Sequence, residues 1–186
     1  MTLTKLTQLS LLLGFLLVAR AQNTFTLASS TVTYHGSTPN ETWEGQAPLQ
    51  SLTLTPSANG LNVSATLEPG SFSSGNFIRD ANARFVVFET GEFPTATLTG
   101  TLPLSGAFAT LQSGTATFSG ELTLHGVTHT LSFPITLTRS GLNLSAKASF
   151  PINLSTYNMK RPSLFGLLVD DALTVDVALS GTLVSP

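Results

Sequence analysis

FSGELTLHGVTHTLSF, residues Phe118 to Phe133, alternates apolar and polar side chains on both sides of a turn at Gly126, with His125 and His129 flanking it. Successive side chains leave a strand on opposite sides, so a period of two marks a strand with one buried face. The stretch therefore predicts a β-hairpin. The same alternation runs outward in both directions. Leu61, Val63, Ala65 and Leu67 share one face of a segment, as do Leu142, Leu144, Ala146, Ala148 and Phe150, and later Leu173, Val175, Val177 and Leu179. The opposite faces carry Thr and Ser more than charge, residues that suit strands. Gly and Pro punctuate the pattern at Pro39, Pro48, Pro56, Gly60, Pro69, Gly91, Pro94, Pro103, Gly106, Gly114, Gly126 and Gly141, at intervals typical of a meander of hairpins. The chain reads as all-β, and such a sheet closes into a barrel or folds into a sandwich.

Two segments break the rhythm. Residues Phe77 to Phe93 place Arg79, Asp80, Arg84, Phe85 and Phe88 at spacings that fit one or two helical turns, which predicts a short helix crossing one end of the sheet. Ser155 to Asp171 contains Pro162 and Gly166 together with Leu164, Phe165, Leu167, Leu168 and Val169. That is unusually apolar for a loop, so these residues must bury on the barrel end or on a ligand.

The N-terminus has a separate logic. Met1 to Gln8 carries only Lys5, Leu9 to Val18 is apolar, and Ala19-Arg20-Ala21 follows. A short apolar core followed by small residues is the pattern of a secretory signal peptide, whereas a membrane span needs roughly 20 apolar residues. Cleavage is expected after Ala21, the alternative being a retained anchor helix. Removal of residues 1–21 from the 186 leaves a single domain, 22–186, large enough for its own core. Of eight basic and ten acidic residues, Lys5 and Arg20 leave with the leader, so six stand against ten. That balance argues against nucleic acid as a partner, because phosphate neutralisation needs a basic stripe. The chain has no cysteine, which excludes disulfides, thiolate metal sites and anchoring through a lipidated cysteine.

Gly120-Glu121-Leu122-Thr123-Leu124-His125-Gly126-Val127-Thr128 closely resembles the strand and turn motif G-(D/E)-L-T-(L/I)-H-G-V-T of the YceI-like family of exported bacterial proteins. Upstream, Ser73-Ser74-Gly75-Asn76 with Arg79-Asp80 and Arg84 is similar to that family's T-G-x(3–5)-R-D-x-x-x-R segment, and Glu92-Phe93-Pro94-Thr95-Ala96 to its (K/R)-(Y/F)-P-x-(A/I) strand start. The resemblance spans residues 24 to 184. This chain departs from the family pattern at Asn82, where a histidine or methionine is common, and at His129-Thr130, where many relatives carry lysine and proline.

The resemblance implies an antiparallel eight-stranded lipocalin-like barrel with a long apolar interior for an isoprenoid chain, such as a polyprenyl phosphate or a quinone tail. It also implies a periplasmic or secreted location and no catalytic role. An eight-stranded barrel is filled by its own side chains or holds one small ligand, and small inward residues favour the ligand. Ala65, Ala116, Gly120, Ala146 and Ala148 are such residues. Each buried methylene of a tail is worth about 0.8 kcal/mol, so binding needs no polar contact. Together these assign the candidate pocket lining to Ala65, Phe85, Phe88, Phe118, Leu124, Phe133, Leu144, Ala146, Phe150 and Phe165, and the head-group or mouth position to Arg79, Asp80, Arg84 and His125.

Each assignment has a plainer counterpart. Arg79, Asp80 and Arg84 place charge at a barrel mouth for a pyrophosphate, or form an ion pair pinning the short helix. His125 and His129 are spaced for a two-histidine metal site, but metals want three or four ligands; the plainer role for His125 is a hydrogen bond to the turn backbone. Trp43, with Tyr34 and His35, caps a pocket or plugs a barrel end. Asn40, Asn62, Asn143 and Asn153 begin N-x-(S/T) triplets to which no role is assigned. No nucleophile elbow, carboxylate pair or phosphate loop is present, so the expectation is a carrier with no cofactor beyond a bound polyisoprenoid, not an enzyme. The rival is a structural or interaction module whose core is packed by its own side chains. Self-association into a homodimer, through edge strands or the Leu164–Val169 loop, is the alternative to a monomer.

Overall fold

The structure is a computed structural model that describes residues 24–104, 111–164 and 166–184. The expected leader and its cleavage point at Ala21 lie outside the described residues, as does Phe165. Long alternating segments become long strands: β1 (Thr24–Thr38), β2 (Glu41–Ala47), β3 (Ser51–Ser57), β4 (Gly60–Leu67), β5 (Ala96–Pro103), β6 (Gly114–Leu124), β7 (Val127–Ser140), β8 (Asn143–Asn153) and β11 (Ala172–Val184). They form one antiparallel sheet in the order β2-β1-β11-β8-β7-β6-β5-β4-β3. A two-stranded ribbon, β9 (Ser163–Leu164) with β10 (Leu167–Leu168), stands apart.

The two edge strands of the large sheet, β2 and β3, are consecutive in sequence. Pro48 lacks an N–H and ends β2, Leu49 N–H donates to Ser30 Oγ at 2.9 Å, and Gln50 N–H donates to the Thr66 carbonyl at 2.9 Å. The sheet thus curls until its edges meet at this corner. With β2 and β3 taken as one bent strand, it has the eight staves expected of the barrel. A bulge at Ala28 shifts the β1–β11 register between Leu27 and Ser29, which adds to the local twist.

Register sorts the connections by end. The β3–β4, β5–β6 and β7–β8 connections and the free ends of β1 and β11 lie at one end, here the far end. The β1–β2 and β6–β7 turns lie at the other, near end, with the two irregular segments. The first of these runs from a 3₁₀ turn (Pro69–Ser71) into α1 (Phe77–Asn82), which continues as a π-helical turn at Ala83–Val87. Asn76 caps α1, its Oδ1 accepting from Ile78 N–H at 3.0 Å and Arg79 N–H at 3.1 Å. The second contains a 3₁₀ turn (Ser155–Tyr157) and the β9–β10 ribbon. Both roof the near end, as the breaks in sequence period require.

The hairpin that opened the reading forms with Leu124 opposite Val127. Its two turn residues both have positive φ, +51° at His125 and +72° at Gly126, the geometry of the primed turn that matches strand twist. Glycine adopts this freely at 126, where a Cβ would meet the Phe93 ring at 2.7 Å; histidine at 125 carries strain that its side chain must offset.

Two large core regions result, beside a third, smaller cluster of Val32, Ala47 and Leu67. The far end holds Phe118, Phe133, Phe150, Leu137, Leu144, Leu183 and neighbours; the near end holds Val87, Phe88, Leu124, Leu154, Tyr157, Met159, Val169 and Leu173.

Candidate functional site

A cavity of about 170 Å³ lies between these two regions, inside the barrel. That is close to the ~150 Å³ of an apolar cavity that stays dry and accepts benzene. Its lining includes an aromatic stack: Phe133 and Phe150 have ring centroids 4.3 Å apart at 15°, and Phe118 sits 5.0 Å from Phe133 at 29°. Ala65, Ala146, Ala148, Ile135, Val175 and Val177 form the walls, their small or β-branched side chains leaving the centre open. Toward the roof stand Tyr34, Phe72 and Phe88, with Tyr34 edge-on to Phe72 at 5.0 Å and Phe72 stacked on Phe88 at 5.8 Å. Tyr34, Thr66 and Lys147 are the polar residues of the lining. The Lys147 side chain is on the outer face of β8, exposed. Burial raises the Tyr34 phenol above its ordinary value, with the Asp80 charge adding and Arg79 opposing.

A second, smaller cavity of about 50 Å³ lies under α1 and shares Tyr34, Phe88 and Leu173 with the first. Its other lining residues include Trp43, Arg79, Ala83, Val87, Leu154, Pro162 and Val169. Arg79 Nη2 donates to Glu41 Oε1 at 2.6 Å, and its guanidinium carbon is 4.9 Å from the Trp43 ring centroid. The Arg79 Nε–H is buried and has no hydrogen-bond acceptor. A buried donor without a partner costs about 1–3 kcal/mol, so this position favours any acceptor that enters.

The pocket assignments separate clearly in space. Ala65, Phe88, Phe118, Leu124, Phe133, Ala146 and Phe150 line the larger cavity. Leu144 does not: paired with Gly181, it packs in the far-end core. Phe85 is 68 % exposed, because the helical segment turns it outward while Val87 and Phe88 point in. Gly120 leaves no void either. It lies opposite Gly100, and a Cβ on either would meet the Phe118 ring, at 2.7 Å and 2.6 Å, so the paired glycines are the seat of that ring. Sequence reading missed this pair and missed Phe72 as a roof residue, whereas Tyr34 stands at the barrel end where it was expected beside Trp43; glycines opposite one another on β5 and β6 are a signal only once register is known.

Of the four mouth assignments, Arg79 alone borders either of these two cavities. Arg84 is exposed and donates from Nη2 to the Gly70 carbonyl at 2.8 Å, which ties the helical segment down. Asp80 accepts from Ser74 N–H at 2.8 Å, Ser74 Oγ at 2.6 Å and Ser73 Oγ at 3.2 Å. Desolvation raises its pKa, but these bonds and the Arg79 charge more than offset that, leaving the carboxyl below its usual value. It holds a loop together. His125 is buried, not at the mouth: its Nδ1 is 3.2 Å from the Tyr157 carbonyl, its Nε2 is 2.9 Å from Glu89 Oε2, and its ring lies 4.2 Å from that of Phe93. Both partner atoms are hydrogen-bond acceptors, so the ring ties the turn to two separate segments. Lys160 Nζ completes the group, donating to Glu89 Oε1 at 2.7 Å. The bonds from Lys160, first, and His125 hold the Glu89 carboxyl below its usual value. His129 Nε2 donates to the Thr156 carbonyl at 2.9 Å. The two histidines therefore fasten the turn to the 154–160 segment, and among the described residues no three His, Asp or Glu side chains converge as metal ligands.

An apolar cavity in a curled eight-stave sheet, lined by stacked aromatics and roofed at one end by a short helix, is the geometry that the hairpin motif implied. The match to the YceI-like domain model over residues 14–180 settles the family. This chain is a member of the YceI-like family. Solved structures share the fold. BcnA of Burkholderia cenocepacia superposes with a TM-score of 0.69 at 20 % identity, over 82 % of this chain and 96 % of that one. A polyisoprenoid-binding domain of Saccharophagus degradans, implicated in plant cell wall breakdown, gives 0.68 at 19 %, over 89 % and 100 %. The YceI protein of Campylobacter jejuni gives 0.55 at 14 %, over the whole of both chains. No curated protein matches by sequence.

Proposed function

We propose that this YceI-like protein is a carrier that holds the tail of a lipophilic isoprenoid, of the polyprenyl phosphate or quinone type, in the barrel interior, and that it is not an enzyme. The single observation that carries the reading is the apolar cavity of about 170 Å³ where a packed module would have side chains. Family membership and the likeness to a polyisoprenoid-binding domain support it. The tail lies against Ala65, Ala146, Phe118, Phe133 and Phe150, and its polar end points to the near end, where the free Arg79 Nε–H and Tyr34 adjoin the smaller cavity. Residues 1–21 are a leader removed on export, and the domain 22–186 acts in the periplasm or outside the cell.

Native mass spectrometry of the protein purified from its own host without detergent, followed by lipid extraction, tests this. The expected spectrum has an N-terminus at Gln22 and a stoichiometric adduct with a prenyl fragmentation series. A bare polypeptide mass that also refuses added polyprenyl phosphate and quinone overturns the carrier in favour of a packed interaction module.

A further inference from the structure

The helical segment that roofs the cavities has a second apolar face. Phe77 is 85 % exposed, Ile78 69 % and Phe85 68 %. Phe77 and Phe85 are two turns apart at i and i+8, and both fall on the outer side of α1 and the π-helical turn, with Ile78 beside Phe77. From the inner side of the same segment Ala83, Val87 and Phe88 line the smaller cavity. Leu168, 49 % exposed, stands on the β9–β10 ribbon, whose flanks Pro162 and Val169 line that cavity too. The remaining large hydrophobics exposed among the described residues, Leu142 and Val184, are at the far end. Exposed apolar area is thus gathered on the elements that border the way in.

These side chains are held outward by the helical segment: α1 buries none of its residues, and in the turn that follows Phe85 is exposed while Val87 is buried. The three side chains expose on the order of 400 Å² together. A stable protein dimer needs about 800 Å² from each partner, so a second copy is a poor fit for this patch, whereas a patch of this size is typical of a functional surface. A lipid surface needs no matched partner area, only apolar side chains that reach below the headgroups. Charge does not select it. The same end carries Arg84, Lys160 and Arg161, but also Glu41, Glu89, Glu92, Asp170 and Asp171, so the near end holds no cationic excess.

We infer that the outer face of the helical segment, Phe77, Ile78 and Phe85, docks on a phospholipid bilayer by apolar insertion and sets the barrel entrance against the membrane. The inference rests on the carrier reading for its purpose, since a tail that passes from bilayer to barrel beneath this segment avoids water. Its physics is independent of that reading: docking is driven by apolar area, needs no anionic lipid and is insensitive to salt.

The test is co-sedimentation of the purified protein with sucrose-loaded phosphatidylcholine vesicles, with and without phosphatidylglycerol, as salt rises from about 0.1 to about 0.5 M. The wild-type protein is expected to partition equally onto both vesicle types at all salt concentrations. The double variant Phe77→Ser, Phe85→Ser is expected to lose at least about tenfold in partitioning, while Leu142→Ser at the far end changes nothing. All three positions are exposed, and circular dichroism checks their folding. Equal partitioning of wild type and double variant overturns the inference. So does binding that requires phosphatidylglycerol or disappears with salt, or a wild-type dimer, seen by sedimentation equilibrium, that the double variant dissolves. Uptake of farnesol from solution is measured in parallel. The double variant should fill as wild type does; a wild-type protein that docks but takes up no farnesol sinks the carrier reading and leaves the docking surface standing.

Discussion

Ala146→Phe separates a cavity with a use from a cavity without one. Ala146 lies on β8 opposite Leu137 on one side and Leu179 on the other, with its side chain on the wall of the larger cavity. The substitution adds a six-carbon ring, the size of guest that an apolar cavity of ~150 Å³ accepts, to a space of about 170 Å³. It therefore displaces roughly one five-carbon isoprene unit of a bound tail. At about 0.8 kcal/mol per buried carbon the loss is about 4 kcal/mol, close to a thousandfold in affinity. Stability moves otherwise. A ring that fills a void leaves the ligand-free protein at least as stable as before, whereas a ring forced into a packed core costs about 1–3 kcal/mol, which is several degrees of melting temperature. The assay is titration with farnesol or geranylgeraniol by native mass spectrometry, with fluorescence of the single Trp43 at the smaller cavity as a second probe, beside thermal melts of the empty proteins. Affinity within threefold of wild type, or a melting point lowered by several degrees, refutes the reasoning.

Two further outcomes follow from the packing and the charges. Gly120→Ala places a methyl against the Gly100 backbone, the Thr99 carbonyl and the Phe118 ring, so chemical denaturation should show a loss of about 1–3 kcal/mol; an unchanged midpoint means the β5–β6 glycine pair does not seat Phe118. Acid should unfold the protein through carboxyls held below their usual values: Glu89 by Lys160 and His125, Asp171 by Ser155, and Asp176 by Ser149 and His35. For such groups the stabilisation is complete above the unfolded-state value and is lost as pH falls through the folded one. From these groups the melting temperature should hold from neutrality to near 4.5, the usual Glu value, and decline below it. Asp171→Asn should shrink that decline, and an identical acid profile in the variant removes Asp171 from the account.

Much of this architecture was legible before any coordinate. The alternation of Leu61 to Leu67, Phe118 to Leu124 and Leu131 to Leu137 appears as strands with those residues inward, and the helical spacing around Arg79 and Phe88 appears as α1 and its π-helical continuation. The Gly126 turn closes the hairpin as read. These are local properties: an apolar residue every second position buries one face of a strand whatever its neighbours, and positive φ at a two-residue turn favours glycine in any context.

What each inward residue does was a different matter. Leu144 and Ala146 share one face of β8, yet the first fills the far-end core and the second borders the cavity, because alternation gives a face but not a height along the barrel. Gly120 was read as open space and is occupied by Phe118, a fact of register with Gly100 on another strand. His125 was placed at the mouth and is buried against Glu89 and Tyr157, thirty-odd residues away in either direction. Phe85 was placed inside and faces out. The strands, their turns and the family motif were thus written in short-range pattern. The void, the aromatic stack along it and the unpartnered Arg79 Nε–H beside the smaller cavity came from long-range register, where residues distant in sequence compete for the same volume.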